Sequence, residues 1–266
     1  MFQRWFGKSQ KAPAASSTGG RLVYAVGDIH GRLDVLKPLV ADILQDLGMN
    51  GPESGARPLL VFLGDYVDRG PASAAVIDLI LGLADRPDLE VCALKGNHEE
   101  AMLTFLEEPG FGPTWLEHGG GATLASYGVA PPMSRNEPQA WVEARQALAD
   151  AMPEAHLDFL KALELIRAEG DYAFVHAGVR PGVALDQQSE RDLLWIRYEF
   201  LDASGPFEKV IVHGHTPTEE PQIFRHRLGV DTGAYATGVL TAVRLQDESR
   251  SLIQARARRR IEAVIP

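Results

Sequence analysis

With 266 residues, 45% hydrophobic and 23% charged, the chain can bury one sizeable core and reads as one globular domain rather than two. A net charge of −10 argues against DNA or RNA as a partner, and a single cysteine excludes an internal disulfide and a thiolate metal cluster. No apolar run approaches the roughly 20 residues that span a bilayer, and the start lacks the apolar stretch of a secretory signal, so a cytoplasmic protein is expected.

Residues 1–20, rich in Ser, Ala, Lys and Gly, read as a flexible lead-in that carries Phe2, Trp5 and Phe6. A β-rich run from Arg21 to Val26 ends in Gly27-Asp28-Ile29-His30-Gly31. Leu33, Leu36, Leu39, Val40, Ile43, Leu44 and Leu47 then recur at helical spacing, with Gly48 as the expected stop. After a loop from Gly51, a second strand runs from Pro58 to Leu63 and ends in Gly64-Asp65-Tyr66-Val67-Asp68-Arg69-Gly70. A helix over 74–84 follows, then a strand over 89–94 that ends in Lys95-Gly96-Asn97-His98, then a helix from Glu99 to Glu107. Strands alternating with helices predict an α/β sheet with parallel pairs, in which ligands sit at the carboxyl ends of the strands.

The stretch from about 111 to 170 reads as a helical insertion, with a loop over Trp115–Gly121 and helices over 139–151 and 153–168. Strands resume at 171–175, ending in His176-Ala177-Gly178, and at 209–212, ending in His213-Gly214-His215-Thr216. Segments at 228–233, 239–245 and 251–255 look like hairpins, so the second half is expected to be antiparallel or mixed. The domain should extend over 21–257, with a short tail at 258–266; the basic run Arg256–Arg260 reads as solvated surface.

Asp28, His30, Asp65, Asn97, His98, His176, His213 and His215 all lie where strands end. Asp-x-His places two donors on one side of an extended segment. Asp65 has two oxygens and could bridge a pair of metals roughly 3.5–4 Å apart. A mixed nitrogen and oxygen set suits Mn, Fe or Zn better than Mg or Ca.

These motifs, in this order, resemble the signature of the calcineurin-like metallophosphoesterases, and more narrowly the phosphoprotein phosphatases in their compact bacterial and phage form. Trp115 with Gly119–Gly121, Trp195-x-Arg197 and Val230-Asp231-Thr232-Gly233 also look like that branch. The resemblance implies a four-layer αββα sandwich of mixed sheets flanked by helices. It also implies two divalent ions, Mn²⁺ foremost, one on Asp28, His30 and Asp65 and the other on Asp65, Asn97, His176 and His215. His98 would be the general acid, Asp68 its orienting carboxylate, and Arg69 and Arg197, with Asn97, the phosphate clamp. The implied activity is hydrolysis of phosphoserine, phosphothreonine or phosphotyrosine in a phosphoprotein or phosphopeptide, by direct attack of a metal-bridging hydroxide. The alternatives are a symmetrical dinucleoside tetraphosphatase, whose pattern has Ala at the place of Asp68 and Asp at that of Glu99, and a binding module without activity.

The remaining features have plainer readings. His213 is a supporting or structural residue, and Lys95 a charge on the rim. Glu99 and Glu100 are helix-start carboxylates favoured by the dipole. Cys92 is a small buried hydrophobe. Gly119–Gly121 could cradle a phosphate. His118, His156 and His226 lie in no motif.

Overall fold

A computed structural model describes residues 16–51 and 56–257. Its first half contains β1 (Val23–Val26), α1 (Leu33–Asn50), β2 (Leu59–Phe62), α2 (Ser73–Ala84), β3 (Glu90–Ala93) and α3 (Asn97–Glu107). The helical middle comprises α4 (Gly112–Glu117), α5 (Gly120–Ser126), α6 (Pro138–Ala151) and α7 (Glu154–Ala162). The second half adds β4 (Ile166–Glu169), β5 (Tyr172–Val175), α8 (Glu190–Trp195), α9 (Tyr198–Leu201), β6 (Val210–His213), β7 (Gln222–Ile223), β8 (Arg227–Gly229), α10 (Ala234–Thr237), β9 (Val239–Gln246) and β10 (Ser249–Arg256).

Two five-stranded sheets result, in the orders β10-β9-β1-β2-β3 and β4-β5-β6-β8-β7. Both are mixed: β1, β2 and β3 run parallel, as do β5, β6 and β8, while β9, β10, β4 and β7 pair antiparallel. The period of two along the strands divides their side chains between layers. Val23, Ala25, Leu59 and Val61 share one cluster with Tyr172, Phe174, Val210 and Val212, so these inner faces meet. Tyr24, Val26, Leu60 and Phe62 face the opposite way and join Leu36, Leu39, Val76, Ile77, Met102 and Phe105 of the helices. On the far side, Ala173, Val175 and Ile211 pack with Leu193, Ile196 and Phe200. This is the four-layer αββα sandwich. Covering both faces of β1, β2 and β5 explains their unbroken apolar runs, and each fully buried Leu, Val or Phe contributes about 1.5–3 kcal/mol.

Several boundaries differ from expectation. Residues 16–20 are not a loose lead-in: Thr18 is buried, and Asp171 N–H donates to Ser17 O (2.8 Å). Residues 1–15, with the three aromatics, and 258–266 lie outside the described residues. Helix α1 passes through Gly48 to Asn50 and is closed by Gly51 N–H on Leu47 O. Trp115–Gly121 is not a loop but two short helices joined at Gly119, whose φ of 106° breaks the first. The second insertion helix stops at Ala162, and Ile166–Glu169 instead forms β4, antiparallel to β5. Arg167 of β4 pairs with Glu90 of β3 across the seam (2.6 Å), which favours an extended segment there. Among the described residues, no helix is long and apolar enough to cross a membrane.

Candidate metal centre

The loops after β1 and β2 are stitched together. Ile29 and His30 N–H groups donate to Asp65 O (3.0 and 2.8 Å), and Gly31 N–H donates to Tyr66 O (2.8 Å). A Cβ on Gly31 would come within 2.6 Å of Gly70 O, so this crossing requires glycine. His30, Asp65, Asp68, Arg69 and His215 all adopt left-handed backbone, with φ between 49° and 72°. Glu99 is the fastener beneath them. Its Oε2 accepts from Asp65 and Gly96 N–H (both 2.9 Å), and its Oε1 accepts from Tyr66 and Val67 N–H (2.8 and 3.2 Å). Burial, followed by the charge of Asp65, pushes this carboxyl up to about 7.

Helix α3 begins two residues earlier than expected, so Asn97 and His98 occupy its first turn. Two buried groups of donors then share Asp65: His30, Asp65 and His98, and Asp65, His176 and His215, with the donor atoms of each group within 4.8 Å of one another. The tautomers carry the argument. His176 Nδ1 donates to Leu63 O (2.8 Å) and His30 Nδ1 donates to Val67 O (2.9 Å), which leaves both Nε2 lone pairs pointing inward. His176 Nε2 faces Asn97 Oδ1 at 2.9 Å and Asp65 Oδ1 at 3.4 Å; His30 Nε2 faces Asp65 Oδ2 at 3.4 Å. Arg69 Nη1 reaches His30 Nε2 (3.0 Å), but His176 Nε2 faces oxygens alone, and lone pairs aimed at lone pairs repel unless a cation lies between them. His215 adds Nδ1 at 2.8 Å from the same Asn97 oxygen. The donor set therefore fits two divalent ions, and nitrogen with oxygen donors admits Mn, Fe or Zn.

The electrostatics agree. Burial lowers His30 to about 3, keeping it neutral as a ligand must be. Burial alone would raise Asp65, but His176, His98, His30 and His215 around it hold it well below the usual carboxylate range. Asp28 is raised by burial and then by Asp231 and Asp65; its carboxylate accepts His215 N–H (3.0 Å), beside the two donor groups rather than within them. His213 takes no part. It turns away to Gly214 O (3.1 Å) and Arg227 (3.3 Å), with its ring against Phe200.

His98 Nδ1 donates to Asp68 Oδ2 (2.7 Å), and Asp68 is wholly buried. Trp115 Nε1 (2.9 Å) and Thr123 Oγ1 (2.7 Å) donate to the same carboxylate. Burial would lower His98, yet Asp65 and Asp68 raise it above its ordinary value. Its Nε2 lies 3.9 Å from Asp65 and 3.1 Å from Arg69 Nη2. Gly119–Gly121 does not form a cradle. A Cβ on Gly119 would come within 2.7 Å of Arg69 N, and one on Gly120 would enter the Trp115 ring, so these glycines let the segment press against both.

Arg197, between α8 and α9, is exposed and has no ion pair among the described residues. It opens α9, two residues beyond Trp195. Trp195 stands beside His215 (ring centroids 6.2 Å), its indole N–H fixed on Glu100 (2.6 Å). Lys95 is a rim charge paired with Glu190 (2.8 Å). His156 is a buried structural histidine between Tyr127 and Asp78. Sequence reasoning missed Trp115 and Thr123 as the holders of Asp68, and Glu99 as a clamp. The last had a readable signal, since Gly-x-x-Glu at a helix start can close back on the Gly N–H.

Paired buried donor groups at the strand ends of an αββα sandwich define a metal-dependent phosphoesterase. The sequence model of the calcineurin-like phosphoesterases matches residues 22–240, and the chain belongs to that family. It is similar to the asymmetrical bis(5'-nucleosyl)-tetraphosphatase PrpE of Bacillus mycoides, at 28% identity over 82% of this chain and 88% of the relative. The PrpE of Oceanobacillus iheyensis is 27% identical over 84% and 88%. Solved structures with this fold include a candidate diadenosine tetraphosphatase (TM-score 0.59, 19% identity, 91% of this chain and 99% of that one). A cold-active protein-tyrosine phosphatase of a Shewanella species also shares it (TM-score 0.55, 18%, 89% and 81%), as does a serine/threonine phosphatase of Saccharomyces cerevisiae (0.51, 15%, 91% and 82%).

Proposed function

We propose that the protein hydrolyses phosphoserine and phosphothreonine in proteins or peptides, phosphotyrosine being a further substrate, with two divalent ions of which Mn²⁺ is the first choice. Asp28, His30 and Asp65 would hold one ion, and Asp65, Asn97, His176 and His215 the other. Ions held there would acidify the attacking water and neutralise the phosphoryl charge. Arg69, Arg197 and the Asn97 amide would grip the phosphoryl oxygens, a task suited to guanidinium forks. His98 would deliver a proton from Nε2 to the departing oxygen as water attacks phosphorus from the opposite side.

The observation behind this reading is the His98–Asp68 pair. A serine or threonine alkoxide is a poor leaving group and needs a proton in the transition state, a step typically worth about 10²–10⁴-fold. Asp68 is buried with Trp115 and Thr123 on its oxygens, so it orients His98 and stabilises its protonated form. The PrpE relatives favour a second reading, asymmetrical cleavage of a dinucleoside tetraphosphate into a nucleoside monophosphate and a nucleoside triphosphate. A nucleotide phosphate leaves readily and needs little acid assistance.

The test compares a phosphoserine/phosphothreonine peptide with diadenosine tetraphosphate, after chelation and Mn²⁺ reloading, in the parent and in Asp68→Asn. Peptide turnover that falls by about 10²-fold or more in the variant, within the usual range for general acids, supports the first reading. Preferential turnover of the dinucleotide, insensitive to the variant and yielding AMP with ATP, would replace it with the second.

A further inference from the structure

The Arg69 guanidinium rests on a residue from a different part of the chain. Arg69 Cζ lies 4.4 Å above the centre of the Tyr235 ring, and the same ring meets the His30 imidazole edge-on at 5.3 Å and 85°. Arg69 is exposed and has no carboxylate partner among the described residues. Its other side-chain contacts are hydrogen bonds from Nη1 to His30 Nε2 (3.0 Å) and from Nη2 to His98 Nε2 (3.1 Å). Both acceptors have other work in the proposed reaction, since one would bind an ion and the other carry the transferred proton. The ring face is the contact that persists when those lone pairs are taken.

Tyr235 is built to stay in place. It belongs to the four-residue helix α10, bracketed by Gly233 and Gly238, both with left-handed backbone. Gly233 N–H is held by Asp231 Oδ1 (2.8 Å), and Thr237 Oγ1 donates to Thr232 O (2.8 Å). Arg32 Nη1 donates to Ala234 O (2.6 Å), while Asp34 grips Arg32 Nε and Nη2 (both 2.8 Å). A large aromatic ring left 39% exposed on so firm a mount, with a cation on its face, is a support rather than a packing residue.

We infer that Tyr235 is a positioning residue for Arg69, holding its guanidinium at the approach of the phosphoryl group. This rests on the reading of Arg69 as a phosphate ligand. The test measures the affinity of inorganic phosphate for the Mn²⁺-loaded protein by calorimetry, beside KM and kcat on a phosphopeptide and the melting temperature. The variants are Tyr235→Leu, Tyr235→Phe, Arg69→Gln and the double variant Arg69→Gln/Tyr235→Leu. Tyr235→Leu should weaken phosphate binding about three- to fivefold, the range of an exposed cation–π contact, raising KM more than it lowers kcat. Tyr235→Phe should restore binding to within about twofold because it keeps the ring face. Removing the ring should add nothing once Arg69 is glutamine, which has no cation to hold.

Loss of phosphate affinity in Arg69→Gln with parental affinity in Tyr235→Leu would overturn the inference and leave the reading of Arg69 intact. Parental affinity in Arg69→Gln would overturn both. Independent, additive losses would mean that Tyr235 touches the substrate itself. If Tyr235→Leu failed to fold, Arg32→Gln, which frees the mount at Ala234 O, should weaken phosphate binding in the same direction; unchanged binding there would count against the inference.

Discussion

The two sheets supply unlike halves of the centre. From the first come Asp28, His30, Asp65, Asp68, Asn97 and His98, set in loops and the first turn of α3, with backbone groups tied by Glu99 and Asp68 held by buried donors. From the second come His176 and His215, with Trp195 beside His215 and Arg197 two residues further on; there His215 Nε2 is buried without a partner among the described residues, and Trp195 and Arg197 are exposed. The first half is cast in fixed geometry, as proton transfer and ion binding require. The second half is more open, with Trp195 and Arg197 at the surface.

Mutations can break this contrast. The largest effect is expected at Asp65, the one residue in both donor groups: Asp65→Asn should lose bound metal by elemental analysis and lower turnover on the order of 10³-fold, a barrier rise of several kcal/mol. Retention of both ions would contradict the shared-ligand geometry. Next comes Glu99→Gln, which replaces a carboxylate oxygen by an NH₂ group facing backbone N–H donors. It should destabilise the protein by about 3 kcal/mol in denaturant unfolding, because this one buried carboxyl accepts from the N–H groups of Asp65, Tyr66, Val67 and Gly96. Arg197→Ala should behave in the opposite way. Its melting temperature should match the parent, with a stability change within about 0.5 kcal/mol, while KM for a phosphopeptide rises about tenfold. A melting shift as large as that of Glu99→Gln would erase the distinction between the halves.

The smallest effect lies away from both. Asp46 accepts hydrogen bonds from Tyr24 Oη (2.5 Å) and Arg244 Nε (2.6 Å). Burial works to raise its carboxyl, but Tyr24, Arg244 and Asn50 hold it below the ordinary value. A depressed carboxylate contributes stability above its unfolded pKa of about 3.9 and loses it as pH falls through the folded value. Asp46→Asn should therefore cost about 1 kcal/mol at neutral pH and flatten the acid arm of the stability curve below about pH 4. An unchanged acid arm would refute the assignment.

The donors were legible because they follow a local rule: strand, glycine, then a polar side chain. His30, Asp65 and His215 follow it within a few residues, His176 comes directly after its strand, and the fold brings these strand ends together. The ends of helices were less legible. Gly48 costs a helix interior only about 1 kcal/mol, which the packing of Leu39, Val40 and Ile43 outweighs. Nor could the sequence assign Trp115 or Tyr235, whose partners Asp68 and Arg69 lie 47 and 166 positions away and are brought near by the sandwich alone. Periodicity reports which face of an element is buried. It is silent on which distant side chain that face will touch.

The five left-handed residues around the centre have a consequence for how such an enzyme could be changed. Each non-glycine residue held there costs of order 1 kcal/mol or more, so together they take up a share comparable to the net stability of a domain. Glycine at Arg69 would relax the backbone while deleting the cation. Selection for heat resistance alone would thus drift toward a sturdier, idler protein, a trade-off between stability and activity written into the turn after β2.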